Sequence, residues 1–360
     1  MKFMTTAFAA TAALAVLPGP ARADIQRHDF RIPGEPGITL AVREVAPTEA
    51  GRERVPVILL HGARVPGVAS FDLPVDGGSL AADLARAGHR VFIMDARGYG
   101  GSSRPGQDGA KSGDALVRSD EVVRDLGAIV NAVQARTGAS RVALLGWATG
   151  AHWAGMYASR NPDRVSHLVI YNGLYGAHAG HKILGPGSDA ADPNDPARFN
   201  SGKFGAYQEH TAESLLPSWD KSIPSDDKTA WRDHRLVKAY QQAALASDPL
   251  AANRNPPAFR APSGAMADSF ELASGRKLWD AATITARVLI LRSERDFWSR
   301  PEDVTALERD LTNAANVRAV TIPDATHYVH LDRAEKGRAA FIAKVGRFLD
   351  LPMDSGATTQ

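Results

Sequence analysis

Short apolar runs alternate with amphipathic stretches along most of the chain. Eight of these runs predict strands, and the last six of them are apolar on both faces. They are His28–Ile32, Ile38–Val45, Val55–Leu60, Val91–Met94, Val142–Leu145, Leu168–Tyr171, Val288–Leu291 and Arg318–Ile322. Continuous hydrophobicity is typical of parallel strands covered on both faces. The pattern therefore predicts an α/β fold with a mostly parallel, eight-stranded sheet between two layers of helices.

The stretches between these strands have helical spacing of their apolar residues. The predicted helices are Ser79–Ala87, Ser119–Arg136, Ala151–Arg160, Pro301–Ala314 and Ala334–Leu349. Residues 174–286 break the alternation, because they contain no strong strand pattern and only weaker helices near Asp226–Ser247 and Ala265–Asp280. This stretch is far longer than a crossover needs. We expect a mostly helical cap, 174–286, inserted after the sixth strand of a core formed by 24–173 and 287–352.

The two ends of the chain differ from this core. Residues 1–23 carry Lys2, an apolar run over Ala7–Leu17 and the small-residue pattern Ala21-Arg22-Ala23. This arrangement predicts a secretory signal peptide and an exported, periplasmic or secreted protein. Residues 353–360 are small and polar and predict a flexible tail. No stretch approaches the ~20 apolar residues of a membrane span.

Composition narrows the possible chemistry. The chain has no cysteine, which excludes cysteine catalysis and thiolate metal sites. Its net charge is +2, with acidic and basic residues interspersed, so it lacks the basic stripe typical of nucleic-acid binding. His178 and His181 share a loop that lacks the carboxylate pattern of a zinc site. We expect a small-molecule partner, with no metal, no cofactor and no nucleic acid.

Residues 146–150 read GWATG and lie where the strand Val142–Leu145 turns into a helix. This is the frame of a GxSxG nucleophile elbow, with Ala148 at the position of the serine. Glycines in such a turn let the strand and the helix pack closely, and the central residue projects into a pocket. The residue that projects here carries a methyl group.

Four other motifs also follow predicted strands. They are HGAR at 61–64, DARGYGGS at 95–102, RSERD at 292–296 and DATHYVH at 324–330. Ligands of open α/β sheets bind at the carboxyl edge, so these motifs are expected to converge. With the elbow, they make residues 25–350 resemble the α/β-hydrolase superfamily, in its capped esterase and lactonase-like branch. The resemblance implies a three-layer sandwich and a carboxylic ester or lactone hydrolase that needs only water.

The resemblance also implies roles for particular residues. Ala148 occupies the nucleophile position, Asp296 matches the triad acid and His327 matches the base. Glu294 is the local competitor of Asp296, although it comes earlier after the strand. The backbone N–H groups of Ala63 and Thr149 match the oxyanion hole. Within 95–102, Asp95 and Arg97 are interpreted as holding the loop, because the glycine pattern is incomplete for a dinucleotide.

Substrate contacts are less specific in the sequence. Trp147 lies beside the elbow, while Tyr171 and Tyr175 follow a strand at the catalytic edge. Arg64 follows the oxyanion turn and is a candidate contact for an anionic substrate group. These four residues are the predicted substrate-binding set, and the alternative is that the aromatic residues belong to the core. The oligomeric state is left open.

Three explanations of Ala148 stay open. In the first, the nucleophilic serine of a hydrolase has been replaced, so that the chain binds substrate without turning it over. In the second, the protein is naturally a ligand-binding pseudoenzyme. In the third, His327 acts without a nucleophile as a general base on water or on an acidic substrate proton.

Overall fold

Ten strands form two sheets in the residues described by the computed structural model, which are 24–49, 54–106 and 115–352. They are β1 (Ile25–Pro33), β2 (Thr39–Pro47), β3 (Val57–Leu60), β4 (Val91–Met94), β5 (Val142–Trp147), β6 (Val165–Tyr171), β7 (Tyr207–Thr211), β8 (Ala258–Pro262), β9 (Arg287–Arg295) and β10 (Asn316–Thr326). The predicted signal peptide, 1–23, and the predicted tail, 353–360, lie outside the described residues and stay predictions.

Eight of these strands form the main sheet, in the order β1-β2-β4-β3-β5-β6-β9-β10. β1 pairs antiparallel with β2, and β2 pairs antiparallel with β4. All the other neighbours in this order are parallel. The predicted mostly parallel, eight-stranded sheet is confirmed.

Ten α-helices accompany the sheets in the described ranges. They are α1 (Gly67–Phe71), α2 (Leu80–Arg86), α3 (Ser119–Thr137), α4 (Thr149–Arg160), α5 (Ser201–Phe204), α6 (Leu216–Ser222), α7 (His234–Ala246), α8 (Gly264–Ala273), α9 (Pro301–Asp310) and α10 (Ala339–Leu349). None of the described helices has the length and apolar character that crossing a membrane requires.

Two hydrophobic cores explain why the strands are apolar throughout. In β3, Val57 and Leu59 belong to one core, together with residues of α2 and α10. Ile58 and Leu60 belong to the other core, together with residues of α3, α4 and α9. Successive side chains of a strand point to opposite faces. Each face of the sheet is therefore covered by helices, which gives the three-layer sandwich.

Segment 174–286, the predicted cap, lies between β6 and β9, which pair directly with each other. It contains α5 to α8, and it also contains the antiparallel pair β7 and β8. This pair goes beyond the sequence pattern, which showed no strong strand here. β7 has the sequence YQEHT, none of it fully buried, so it lacks the apolar run that marks the strands of the main sheet.

The last helix also differs from its prediction. Helical spacing predicted Ala334–Leu349, but regular α-helix begins at Ala339. Gly337 has a φ of 96°, which interrupts the helical backbone. A Cβ at Gly337 would lie 2.6 Å from the Cβ of Ala325, so the end of β10 also requires a residue without a side chain here.

The junction of β5 and α4 is closely packed. A Cβ at Gly146 would lie 2.2 Å from the carbonyl oxygen of Gly150, and a Cβ at Gly150 would lie 2.2 Å from the carbonyl oxygen of Leu60. These partners are backbone atoms, which cannot rotate away as a side chain can. Both glycines are therefore needed for the start of α4 to rest against the ends of β5 and β3.

We predict that Gly150→Ala lowers the free energy of unfolding by more than about 2 kcal/mol, because the new methyl group displaces backbone. Gly346→Ala in α10 is the matched control, since a Cβ there meets no atom within 4 Å. The control is expected to be neutral or to stabilise by up to about 1 kcal/mol. Chemical denaturation measures both changes, and equal effects of the two substitutions would show that the packing argument is wrong.

Candidate active site

The predicted site residues come together at the carboxyl edge of the main sheet. Ala63 follows β3, Ala148 follows β5, and Asp296 and His327 follow β9 and β10. These strands are parallel, so their carboxyl ends meet at one edge. The sheet thereby brings together side chains that are far apart in the sequence.

Ala148 lies at the tip of the elbow in a strained backbone conformation. Its φ is 52° and its ψ is −112°, a combination that residues with a Cβ rarely adopt. Such a conformation costs on the order of 1 to 3 kcal/mol and persists where the surrounding packing enforces it. A Cβ at Gly62 would lie 3.7 Å from the Cβ of Ala148. The methyl group of Ala148 therefore faces the HGAR turn.

Asp296 and His327 form a buried hydrogen-bonded pair. His327 Nδ1 lies 2.6 Å from Asp296 Oδ1. Asp296 Oδ2 also accepts from the backbone N–H of Ser299, at 2.8 Å, and from its hydroxyl. Burial raises the pKa of Asp296, but His327 and Ser299 outweigh burial and hold that pKa below its ordinary value. The carboxylate stays ionised, fixes the proton on Nδ1 and leaves Nε2 of His327 free to accept one.

The loop that carries His327 is held through its backbone. The His327 carbonyl accepts from Trp147 Nε1 at 3.0 Å and from Asn172 Nδ2 at 3.1 Å. Asn172 also bonds to Ser293 in β9, through both its amide oxygen and its amide nitrogen. Residues at the ends of β5, β6 and β9 thus fix the position of the imidazole.

Asp332 supports the same loop from the other side. Its carboxylate accepts from the backbone N–H of Thr326 at 2.8 Å and from the Thr326 hydroxyl at 2.9 Å. It also accepts from Trp219 Nε1, on α6 of segment 174–286, at 2.9 Å. Asp332 therefore connects this segment to the residue that precedes His327.

The HGAR turn is oriented by two buried side chains. Ala96 donates its N–H to His61 Nε2 at 3.2 Å, so the imidazole proton is on Nδ1, which donates to the Gly62 carbonyl at 2.7 Å. Gly62 C=O and Ala63 N–H belong to the same peptide group, and this bond sets the direction of that N–H. The Tyr99 hydroxyl donates to the next carbonyl, that of Ala63, at 2.8 Å. In the described residues, the N–H groups of Ala63 and Thr149 donate to no protein acceptor.

Two predicted substrate contacts, Tyr171 and Tyr175, have partners within the protein. The Tyr171 hydroxyl lies 3.2 Å from Nδ1 of the buried His330, and its ring packs against Phe341 of α10. The Tyr175 hydroxyl donates to Asp310 on α9 at 2.8 Å. Both rings are buried, so their contacts fit the core alternative rather than a substrate role.

The other two predicted substrate contacts, Trp147 and Arg64, lie at the site, and only one of them remains available to a ligand. Trp147 is 4% exposed and holds the His327 carbonyl, which makes it a positioning residue. Arg64 is partly exposed; it donates to the Ser214 carbonyl and to the Tyr328 hydroxyl, each at 3.2 Å. Arg64 therefore remains available to a ligand, whereas Trp147 is already engaged.

Three other charged residues singled out in the sequence, Glu294, Asp95 and Arg97, have structural partners. Glu294 is exposed and accepts from the backbone N–H of Asp324. Asp95 accepts from the N–H groups of Gly67 and Gly101, and Arg97 pairs with Asp125. In the described part of the chain, no group of three or more histidine and carboxylate side chains is arranged to hold a metal ion.

The positioning roles of several residues were missed from the sequence, although Asn172 was a candidate for the pocket. Phe297 packs its partly exposed ring on His327, with ring centroids 4.8 Å apart. Asn172, Ser299 and Asp332 bond to the acid or to the histidine loop, as described above. The signal that could have found Ser299 and Asp332 is their closeness in sequence to Asp296 and His327. Nothing in the sequence marks Asn172 as a partner of His327.

Comparison with known proteins gives a family and several relatives. A family model described as alpha/beta hydrolase fold matches residues 55–334. A 2-hydroxy-6-oxononadienedioate/2-hydroxy-6-oxononatrienedioate hydrolase of Paraburkholderia xenovorans is 28% identical over 46% of this chain and 49% of its own. The chain spans about half the length of the first curated relatives that it matches.

Two solved structures show the same fold. One is an esterase from Thermogutta terrifontis, with a TM-score of 0.55, 20% identity, and coverage of 90% of this chain and 98% of that chain. The other is a laboratory-evolved variant of a potato epoxide hydrolase, with a TM-score of 0.59, 15% identity, and coverage of 90% and 99%. Since one architecture accommodates both named activities, the fold alone does not select the reaction.

We predict that Asp332→Asn becomes more stable, relative to the unsubstituted chain, as the pH rises. Burial raises the pKa of Asp332 to about 7, against the hydrogen bonds from Thr326 and Trp219. The unfolded carboxyl ionises near about pH 3.9. Between these values the folded state binds more protons, so stability is present at low pH and is lost by about 1.4 kcal/mol per pH unit as the pH rises toward 7. Asparagine removes this dependence.

The measurement is the difference in unfolding free energy between variant and parent at about pH 5 and about pH 8. We expect that difference to shift in favour of Asp332→Asn by roughly 2 kcal/mol. Asp310→Asn is the control. Hydrogen bonds from Lys277, Arg309 and Tyr175 outweigh burial and lower the pKa of Asp310 to about 2. The difference in unfolding free energy between Asp310→Asn and the parent should therefore stay constant over this pH range. A constant difference for Asp332→Asn as well would contradict the argument.

Proposed function

Because the chain belongs to the α/β-hydrolase family, we propose that its site is that of a serine-type carboxylic ester or lactone hydrolase in which alanine occupies the nucleophile position. The observation that carries this proposal is the buried Asp296–His327 hydrogen bond at the edge where the elbow presents Ala148. In this form the protein binds its substrate without forming an acyl-enzyme.

The geometry supports a defined sequence of steps for a chain with serine at position 148. The hydroxyl attacks the substrate carbonyl while Nε2 of His327 takes its proton, and Asp296 stabilises the imidazolium. The N–H groups of Ala63 and Thr149 stabilise the oxyanion. His327 then protonates the leaving alcohol, and water activated by His327 releases the acid. Ala148 provides no atom for the first step.

Two features favour replacement of a serine over gradual loss of activity. A buried carboxylate carries a desolvation cost, and Asp296 is retained together with its hydrogen bond to His327. Position 148 keeps a Cβ at a φ of 52°, where glycine would remove the strain. A chain without a reaction at this edge has no physical reason to keep either feature.

The curated relatives bear on the type of substrate. They are named as hydrolases of 2-hydroxy-6-oxononadienedioate, a compound with an oxo group and two carboxylates by its name. We propose a small carbonyl substrate for this chain, with an ester or lactone as the reacting group.

We predict that Ala148→Ser creates hydrolysis of an activated ester such as p-nitrophenyl acetate, with a burst of one product equivalent per site. Loss of the nucleophile from a serine triad costs on the order of 10⁴-fold or more in rate, so a gain of this order is expected. Ala148→Gly is the control, because it relieves the backbone strain without adding a hydroxyl. Stopped-flow absorbance measures the burst. An inert, folded Ala148→Ser variant on a panel of esters and lactones would favour a ligand-binding pseudoenzyme.

A second candidate function is general-base catalysis without a nucleophile, which the complete Asp296–His327 pair of the present chain favours. In this case the unsubstituted chain hydrolyses substrate slowly, with His327 activating water. His327→Ala is expected to abolish that rate, while Ala148→Gly leaves it within about twofold. Steady-state assays of the three chains decide the matter, and a rate that survives His327→Ala would exclude this route.

A further inference from the structure

Arg64 is a cation without an anionic partner at the catalytic edge. Its two hydrogen-bond acceptors are neutral oxygen atoms, the Ser214 carbonyl and the Tyr328 hydroxyl, each 3.2 Å from the guanidinium. Within the described ranges, no carboxylate forms an ion pair with it. Arg97, on the neighbouring turn, shows the contrast, since it pairs with Asp125, Glu35 and Glu121.

The contacts of Arg64 place it beside the reacting groups. Arg64 directly follows Ala63, the proposed oxyanion donor, and Tyr328 directly follows His327. Ser214 belongs to segment 174–286. The guanidinium therefore lies where the turn after β3, the loop after β10 and this segment meet.

Three titratable side chains that interact with Arg64 are neutral. The ionised Asp296 interacts with Tyr328, but it forms no ion pair with Arg64. Burial and the charge of Arg64 lower the pKa of His210, on β7, to about 4, so this imidazole is neutral near pH 7. Burial raises the pKa values of Tyr240 and Tyr328, which both interact with Arg64 and stay protonated. A partly buried cation without an ion-pair partner carries a desolvation cost, which a bound anion would offset.

The guanidinium also has donors to spare. Arginine carries five N–H groups in a planar fork that matches a carboxylate, and the Ser214 and Tyr328 contacts use two of them. Three N–H groups remain for a ligand. Arg64 directly follows Ala63 in the chain. A carboxylate bound to the Arg64 guanidinium and a carbonyl bound to the Ala63 N–H would therefore belong to the same small molecule.

We propose that Arg64 is the specificity-determining residue of the site and selects substrates that carry a carboxylate a few carbon atoms from the reacting carbonyl. This proposal rests on the proposed function, because it takes the N–H of Ala63 as the position of that carbonyl. The carboxylate completes the ion pair that Arg64 lacks in the protein itself.

The test uses the unsubstituted chain, whose Ala148 allows binding to be measured without turnover. The ligands are the monomethyl esters of succinate, glutarate and adipate and the matching dimethyl esters, which are of similar size and lack the charge. Isothermal titration calorimetry is expected to show tighter binding of at least one monoester than of its diester. Arg64→Gln should weaken binding of that monoester by about tenfold or more and leave the diester within about twofold.

Arg124→Gln is the matched control, because it removes one exposed positive charge on α3, where Arg124 pairs with Glu35. It should leave both ligands unaffected. Arg64→Lys keeps the charge but loses the planar fork, and it should restore part of the monoester affinity. Thermal melts of each variant separate loss of binding from loss of folding.

The possible outcomes distinguish failure of the Arg64 proposal from failure of the proposed function. Equal affinities for monoester and diester, no detectable monoester binding, or full affinity in a folded Arg64→Gln variant would overturn the proposal. If Ala148→Ser hydrolyses p-nitrophenyl acetate while Arg64→Gln has no effect on the monoesters, the proposed function stands and the Arg64 proposal fails. If monoester binding depends on Arg64 but Ala148→Ser is inert toward esters, Arg64 does select carboxylates and the proposed function fails.

Discussion

The close packing between β5, α4 and the end of β3 is the constraint on which the site depends. Backbone atoms lie where a Cβ of Gly146 or Gly150 would be, so the packing restricts the backbone conformation of this turn. In this conformation Ala148 has a positive φ, and its side chain faces the HGAR turn. It also leaves the N–H of Thr149 at the start of a helix, without an intrahelical acceptor.

The histidine is placed by a second set of interactions that depend on the same sheet edge. Trp147, next to the elbow, and Asn172, at the end of β6, both bond to the His327 carbonyl. Asp296 fixes the imidazole through Nδ1, and Asp332 holds the residue before it. The imidazole is thus fixed through backbone and side chain together, which is the preorganisation that acid–base catalysis requires.

The parts that could be predicted from the sequence are those where burial controls the residue type. Parallel strands buried on both faces leave long apolar runs, so the strands could be located. Asp296 and His327 were assigned from the resemblance of the motifs that follow two of those runs. β7 is partly exposed and polar, and it therefore left no pattern. Tyr175 points toward Asp310, and Asn172 bonds to the His327 carbonyl. Both contacts depend on packing between elements distant in the sequence, so no local pattern predicts them.

On the proposed function, the site lacks only one oxygen atom, at position 148. Intact-mass spectrometry of Ala148→Ser after exposure to a fluorophosphonate, which reacts covalently with activated serines, shows whether restoring that atom activates the site. We predict one phosphonyl adduct per chain on the introduced serine, none on the unsubstituted chain, and a strong loss of labelling when His327→Ala is added. A folded Ala148→Ser chain that stays unlabelled, or one that labels equally well without His327, would show that this is not a serine-type site.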